Sequence, residues 1–165
     1  MGRDCYPQMR RMRTVISTLA DLQAIEGKPL GATDWHTITF EEIVAFADAT
    51  GDHQWIHVDR ERAEKESPFG GPVAHGYWGI ARIGGLFGEL VDTSGCALVI
   101  NYGINKARFP AAVVAGSRYR LEIQHQSTTD KGEVADAIFV AKIAIEGEDK
   151  PACVAEVVYR FAFSG

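Results

Sequence analysis

A carboxylate and an imidazole lie close together in the chain at Asp52 and His57, and a glycine, Gly76, follows at the start of an apolar stretch. A carboxylate and an imidazole that converge on one water molecule can remove its proton and deliver a proton elsewhere, because imidazole titrates near ~6.5. A glycine N–H at the start of a helix can stabilise negative charge on a carbonyl oxygen, and the missing side chain lets a substrate approach. Together these residues predict a site that handles a water molecule beside a carbonyl, which suits hydration or dehydration.

Each of these residues also has an ordinary structural interpretation. Asp52 alone could be a carboxylate at a helix end, and His57 alone could be a histidine satisfied within a loop or core. His53 and His57 have a spacing that suggests a metal site, yet no HExxH motif is present, and we expect no metal. For His75 we favour a structural role at the turn before the helix over direct catalysis.

Two helices are predicted on either side of the Asp52–His57 segment. Thr39 and Glu42 have the form of a capping box, and Gly51 is placed to end the helix that begins there, so Asp52 is the first side chain beyond it. Asp59 can cap a second helix over 60–66, whose charged residues indicate an exposed surface. The segment between these helices, 51–59, is expected to be non-repetitive.

The second half of the chain predicts a long helix followed by a sheet. Apolar residues over 76–91 cover most of the helix circumference, which predicts burial on nearly every side. Alternating patterns then predict antiparallel strands over 96–104, 118–128, 134–146 and 152–163. We therefore expect an α+β fold in which an antiparallel sheet curls around a long central helix.

Length and charge limit the classes of protein that need considering. At 165 residues, one domain over 14–165 is expected, with 1–13 as a disordered extension, although Met12 could itself begin the domain. The net charge is −5 and the basic residues are mostly scattered, so nucleic acid is not an expected partner.

The longest apolar stretch and the cysteines indicate a soluble cytoplasmic protein. The stretch over 77–91 contains Arg82 and Glu89 and is shorter than the ~20 residues of a membrane span. The three cysteines are odd in number and lack metal-ligand spacing, which favours reduced thiols in the cytoplasm.

Three segments resemble a known family, the MaoC-like R-specific enoyl-CoA hydratases, and within it the nodulation protein N-like branch. They are Gly51-Asp52 through His57-Val58-Asp59, then Pro72-Val73-Ala74-His75-Gly76, and 100–110 followed by Gly116. The resemblance implies a hot-dog fold, usually dimeric, that acts on acyl-CoA thioesters without a metal or redox cofactor. It also implies that Asp52 and His57 hold the catalytic water and that the Gly76 N–H binds the thioester carbonyl.

Further residues are candidates for substrate binding: Gln54, His75, Tyr77, Lys106 and Arg108. Gln54-Trp55 stands where many family members have Asn-Pro, and no Ser or Thr occurs over 76–91, where some hydratases have a hydroxyl. Lys106 and Arg108 could meet the phosphates of coenzyme A, or they could be ordinary exposed strand residues.

The resulting hypothesis is reversible syn addition of water to a trans-2-enoyl-CoA, which gives the R-3-hydroxyacyl-CoA. Asp52 would act as base and His57 would complete the proton transfer, and the sequence leaves open which of them takes the first proton. Two alternatives stay open: a hot-dog acyl-CoA thioesterase, and a non-catalytic acyl-CoA-binding subunit on the same scaffold. A homodimer is expected for the active form.

Overall fold

The computed structural model describes residues 13–164, and within them it has five helices and eight strands. The helices are α1 (Leu19–Ala24), α2 (Phe40–Thr50), α3 (Trp55–Val58), α4 (Arg60–Glu66) and α5 (Gly76–Leu90). The strands are β1 (Thr14–Val15), β2 (Pro29–Ala32), β3 (His36–Thr37), β4 (Val91–Asp92), β5 (Cys96–Arg108), β6 (Arg118–Asp130), β7 (Val134–Ile145) and β8 (Cys153–Phe163).

The main sheet is antiparallel and has the order β2-β6-β7-β8-β5, with β3 also paired to β6. The four predicted strands are confirmed, but β5 continues to Arg108 and β6 to Asp130, beyond their predicted ends. The extra residues of β5 pair with the start of β8, where Ala107 faces Ala155 and Arg108 faces Val154. Backbone pairing rather than side-chain burial sets the end of this strand, so hydrophobic alternation did not reveal it.

The inner face of the sheet packs against α5, which confirms the predicted α+β hot-dog architecture. Buried residues alternate along β7 and β8, as expected for a sheet with one covered face. Phe87 of α5 stacks on Tyr159 of β8, with ring centroids 4.5 Å apart, and meets the edge of Phe139 of β7 at 5.2 Å. Phe139 has no solvent exposure, which places this aromatic group at the centre of the core.

The prediction that α5 is buried on nearly every side is wrong for the single chain. Tyr77, Gly84, Gly85 and Gly88 are exposed along one face of the helix, whereas Trp78, Ile83, Leu86 and Phe87 are buried on the other. A sheet covers only the side of a helix that packs against it, so the apolar pattern alone did not identify the uncovered side.

The predicted disordered extension falls mostly on residues 1–12, which lie outside the described residues. Arg13 does lie within them: its guanidinium forms an ion pair with Asp92 at 2.8 Å and donates to the Gly88 carbonyl at 3.3 Å. Arg13 is therefore attached to the folded part. Over 13–164, no helix is both long and apolar enough to span a membrane.

Candidate active site

The end of α2 fixes the position of Asp52. Thr39 and Glu42 form the predicted capping box at the start of this helix, with hydrogen bonds of 3.1 and 3.2 Å. At the other end Gly51 adopts the left-handed conformation with φ of 76°, which strongly favours glycine. Asp52 follows directly, and its side chain is 59% exposed. Both ends of this helix are as the sequence predicts.

His57 lies in a short helical turn, α3, where the sequence analysis predicts non-repetitive chain. A single turn has too few residues to show a hydrophobic period, so the pattern could not reveal it. The imidazole is buried, with 6% exposure, and its Nδ1 lies 2.6 Å from the Val73 carbonyl oxygen. Because a carbonyl only accepts, Nδ1 carries the hydrogen and Nε2 of the neutral ring keeps a free lone pair.

Burial lowers the pKa of His57 below its ordinary value of 6.5. The hydrogen bond to the Val73 carbonyl opposes this shift, and the neighbouring His75 adds to it. His57 is therefore neutral near pH 7, and its Nε2 can accept a proton.

Asp52, His57 and His75 form one cluster, in which each residue offers a polar side-chain atom within 4.8 Å of the other two. The rings of His57 and His75 are stacked with centroids 3.7 Å apart. The His75 Nε2 lies 3.9 Å from a carboxylate oxygen of Asp52 and 2.8 Å from the backbone oxygen of Asp52. The acid and the imidazole singled out in the sequence thus lie together, whereas His53 is outside the cluster and pairs with Asp48 at 2.8 Å.

The cluster also has the residue types that bind a divalent ion. His57 Nδ1 and His75 Nε2 already donate to backbone carbonyls. A metal would have to use the opposite ring nitrogens together with Asp52, and the His75 Nδ1 is itself buried. A metal held by all three residues would therefore use the Nε2 of His57 and the buried Nδ1 of His75.

Gly76 is the first residue of α5, so its N–H has no acceptor within the helix. The positive end of the helix dipole adds to the attraction for an anionic oxygen at this point. A methyl group built on Gly76 would lie 2.9 to 3.2 Å from three ring atoms of Phe109. Tyr77, which is 72% exposed, also meets the Phe109 ring edge-on at 5.8 Å. Phe109 and Tyr77 therefore lie beside the start of α5.

The other predicted substrate-binding residues lie on the surface. Gln54 is exposed, and its backbone N–H donates to the Asp52 carboxylate at 3.4 Å. Lys106 and Arg108 are exposed on β5, shortly before Phe109. Over residues 13–164, no hydrogen bond or ion pair joins either cation to the cluster, and their role in binding stays a prediction.

Three contributors to the site were not identified from the sequence. Val73 acts through its backbone carbonyl, which leaves no signal in residue type. Phe46 of α2 packs on the His75 ring at 5.2 Å, but it lies outside the apolar stripe used to predict the helix. Phe109 belongs to the family-like segment, and only the fold brings it against Gly76.

Comparison with known proteins gives close relatives and a solved structure of similar fold. The 3-hydroxyacyl-thioester dehydratase Z of Mycobacterium tuberculosis is 47% identical over 151 residues, which cover 91% of this chain and 99% of that protein. Nodulation protein N of Rhizobium leguminosarum bv. viciae is 36% identical over 140 residues, which cover 84% of this chain and 87% of that protein. The unliganded R-hydratase PhaJ1 of Pseudomonas aeruginosa is similar in structure, with a TM-score of 0.68 at 19% identity, covering 84% of this chain and 83% of that one.

These similarities confirm the predicted enzyme class, a hydratase or dehydratase, and the predicted relation to nodulation protein N. The model of the family described as "MaoC like domain" matches residues 21–146. This match covers most of the chain and contains Asp52, His57, His75 and Gly76. The chain therefore belongs to the MaoC-like domain family.

Proposed function

We propose that this protein catalyses the reversible syn addition of water to a trans-2-enoyl-CoA, which gives the R-3-hydroxyacyl-CoA. The observation that carries the proposal is the clustering of the Asp52 carboxylate and the His57 imidazole within 4.8 Å. His75, the third member of the cluster, is the N-cap of α5. The next residue is Gly76, whose N–H has no acceptor within the helix. A water held by the pair would thus lie on the same side of the protein as a donor for the thioester oxygen.

The chemistry follows from the protonation states of the two groups. The neutral Nε2 of His57 accepts one proton of the water, while the Asp52 carboxylate accepts a hydrogen bond from the other. The water oxygen bonds to C3, and the C2–C3 π electrons move into the thioester to give an enolate. The Gly76 N–H stabilises the enolate oxygen, and the protonated His57 returns its proton to C2 on the same face. The reverse sequence removes water.

In this assignment His57 takes the first proton. Its lowered pKa keeps the ring neutral near pH 7, and the lone pair of its Nε2 is free to accept the proton. The Asp52 side chain is 59% exposed, and its carboxylate oxygens can accept hydrogen bonds from a water molecule. Asp52 is better suited to orient the water and to stabilise the transient imidazolium. The addition of water transfers no electrons to an acceptor, so the proposed reaction requires no redox cofactor.

Coenzyme A is the proposed carrier of the acyl group. Lys106 and Arg108 stand close in the chain to Phe109, whose ring lies against Gly76. Exposed cations at this place could meet the phosphates of a coenzyme A whose thioester lies at Gly76. Replacing both cations by Ala should raise KM for an acyl-CoA at least ~10-fold at low salt and leave kcat within a factor of ~3.

A homodimer is proposed from the surface formed by β5. Among the described residues this strand lies at the edge of the main sheet, and it exposes large apolar side chains: Leu98, Ile100, Tyr102 and Ile104. A long apolar edge strand favours pairing with a second chain. Sedimentation of the protein at micromolar concentration should give the mass of two chains, and Ile100→Lys should shift it toward one.

The test of the proposed reaction is product analysis with crotonyl-CoA. We expect loss of the conjugated alkene, formation of R-3-hydroxybutyryl-CoA and no release of free thiol. Thiol release at the same rate as substrate loss would instead identify a thioesterase. Binding of acyl-CoA without turnover across short, medium and long chains would identify a non-catalytic subunit.

A further inference from the structure

His75 connects the two proposed catalytic groups. It caps the start of α5 and is buried, with 5% exposure. Its Nε2 donates to the backbone carbonyl of Asp52 at 2.8 Å, and its ring stacks on His57 at a centroid distance of 3.7 Å with 25° between the planes. One side chain thus contacts the backbone beside the carboxylate and the face of the imidazole.

The Asp52 side chain has little else to hold it. Over residues 13–164, its carboxylate accepts one hydrogen bond, from the Gln54 backbone N–H at a long 3.4 Å. The neighbouring residues Gly51, His53 and Gln54 are all exposed. The position of Asp52 therefore depends on its backbone, which is held by the left-handed Gly51 on one side and by the hydrogen bond from His75 on the other.

The hydrogen bond to the Asp52 carbonyl fixes which ring nitrogen of His75 donates, because a carbonyl only accepts. The donor is Nε2, and the other ring nitrogen, Nδ1, is buried with no hydrogen-bond partner among the described residues. The titratable groups that face the stacked rings are Asp52, from the loop after α2, and the two imidazoles themselves. The contact from α2 itself is Phe46, which carries no charge.

We propose that His75 is a positioning residue for the hydration reaction, which holds Asp52 through its backbone carbonyl and holds His57 through ring stacking. The proposal rests on the proposed function and adds a role for this side chain within it. The hydrogen bond fixes the position of the Asp52 carboxylate relative to the start of α5, and the ring stack fixes the orientation of the His57 imidazole. Together they keep the two groups at a separation that one water molecule can bridge.

Two substitutions separate the two contacts. His75→Phe keeps a ring for the stack but has no donor for the Asp52 carbonyl, whereas His75→Gln keeps a donor at similar reach but has no ring. We expect His75→Phe to lower kcat ~10- to 100-fold with KM changed less than ~3-fold, because a small misplacement of a catalytic group has effects of this size. His75→Gln should retain more activity than His75→Phe. His36→Gln, at a half-buried histidine that pairs with Glu89 outside the cluster, is the matched control and should keep full activity.

The second readout is the titration of His57, followed by NMR without substrate. His75 contributes to the lowered pKa of His57, so both variants should move this titration and the acid limb of kcat/KM to higher pH.

The proposal is overturned if the His57 titration stays unchanged while activity falls only in proportion to thermal stability, because His75 would then have only a structural role. Wild-type kcat in His75→Phe would overturn it as well. If the wild-type protein does not hydrate enoyl-CoA, the proposed function fails by itself, and the NMR titration still tests the link between His75 and His57.

Discussion

Gly76→Ala tests whether the thioester oxygen lies at the start of α5. The added methyl group would lie 2.9, 3.0 and 3.2 Å from ring atoms of Phe109, whereas ordinary contacts of this kind begin at 3.4 Å. Either the ring or the start of α5 must therefore move by about half an ångström or more. A shift of this order at an oxyanion donor should lower kcat ~10- to 100-fold, which corresponds to about 1.4 to 2.7 kcal/mol.

The assay is the steady-state hydration of crotonyl-CoA by four proteins: wild type, Gly76→Ala, Phe109→Ala and the double variant. If the clash with Phe109 causes the loss, Gly76→Ala should have a smaller effect in the Phe109→Ala background than in the wild type. Gly85→Ala is the control on the same helix, because a methyl group there meets no atom within 4 Å among the described residues. Full activity of Gly76→Ala would refute the placement of the thioester, and equal effects in both backgrounds would refute the role of Phe109.

Three further predictions concern pH dependence and stability. Because the pKa of His57 is lowered, its neutral form persists below pH 6.5, so the acid limb of kcat/KM should lie below 6.5, and a midpoint above 6.5 would contradict this. Hydrogen bonds from Arg160 at 2.6 and 2.8 Å, with Lys131 at 2.8 Å, lower the pKa of Asp136 below its usual 3.8. Asp136→Asn should therefore cost about 2 kcal/mol of unfolding free energy at neutral pH. In urea titrations this difference should shrink as pH falls below 3.8, because the carboxylate of the unfolded wild-type chain then takes up a proton while that of the folded chain stays ionised. Phe139→Ala should cost about 3 to 5 kcal/mol in the same urea titrations, because this ring has no solvent exposure, and a cost below ~1 kcal/mol would refute its central place in the core.

The parts of the fold predicted from sequence are those set by local chemistry. The capping box of Thr39 and Glu42 and the left-handed Gly51 depend on residues within one helix, and their types are specific for these conformations. The alternating strands and the apolar helix likewise follow from hydrophobic periodicity. The sequence therefore predicts the position of Asp52 at the end of α2.

The contacts that join the site could not be predicted, because they use backbone atoms far apart in sequence. His57 donates to the carbonyl of Val73, and His75 donates to the carbonyl of Asp52. Every residue has such a carbonyl, so residue type gives no information about which one is used. The single turn of α3 was missed for lack of a periodic pattern, and the exposed side of α5 was missed because apolar spacing does not identify the covering surface.

Asp52 and His57 are proposed to act together on one water molecule. This proposal is tested most directly by the rate of crotonyl-CoA hydration for Asp52→Asn and His57→Gln, compared with Asp48→Asn and His53→Gln. The latter two residues form an exposed pair nearby, outside the cluster, and serve as matched controls. We predict at least a ~100-fold loss of kcat for each of the first two variants and wild-type rates for the controls. Undiminished hydration by a protein that carries both Asp52→Asn and His57→Gln would contradict the account.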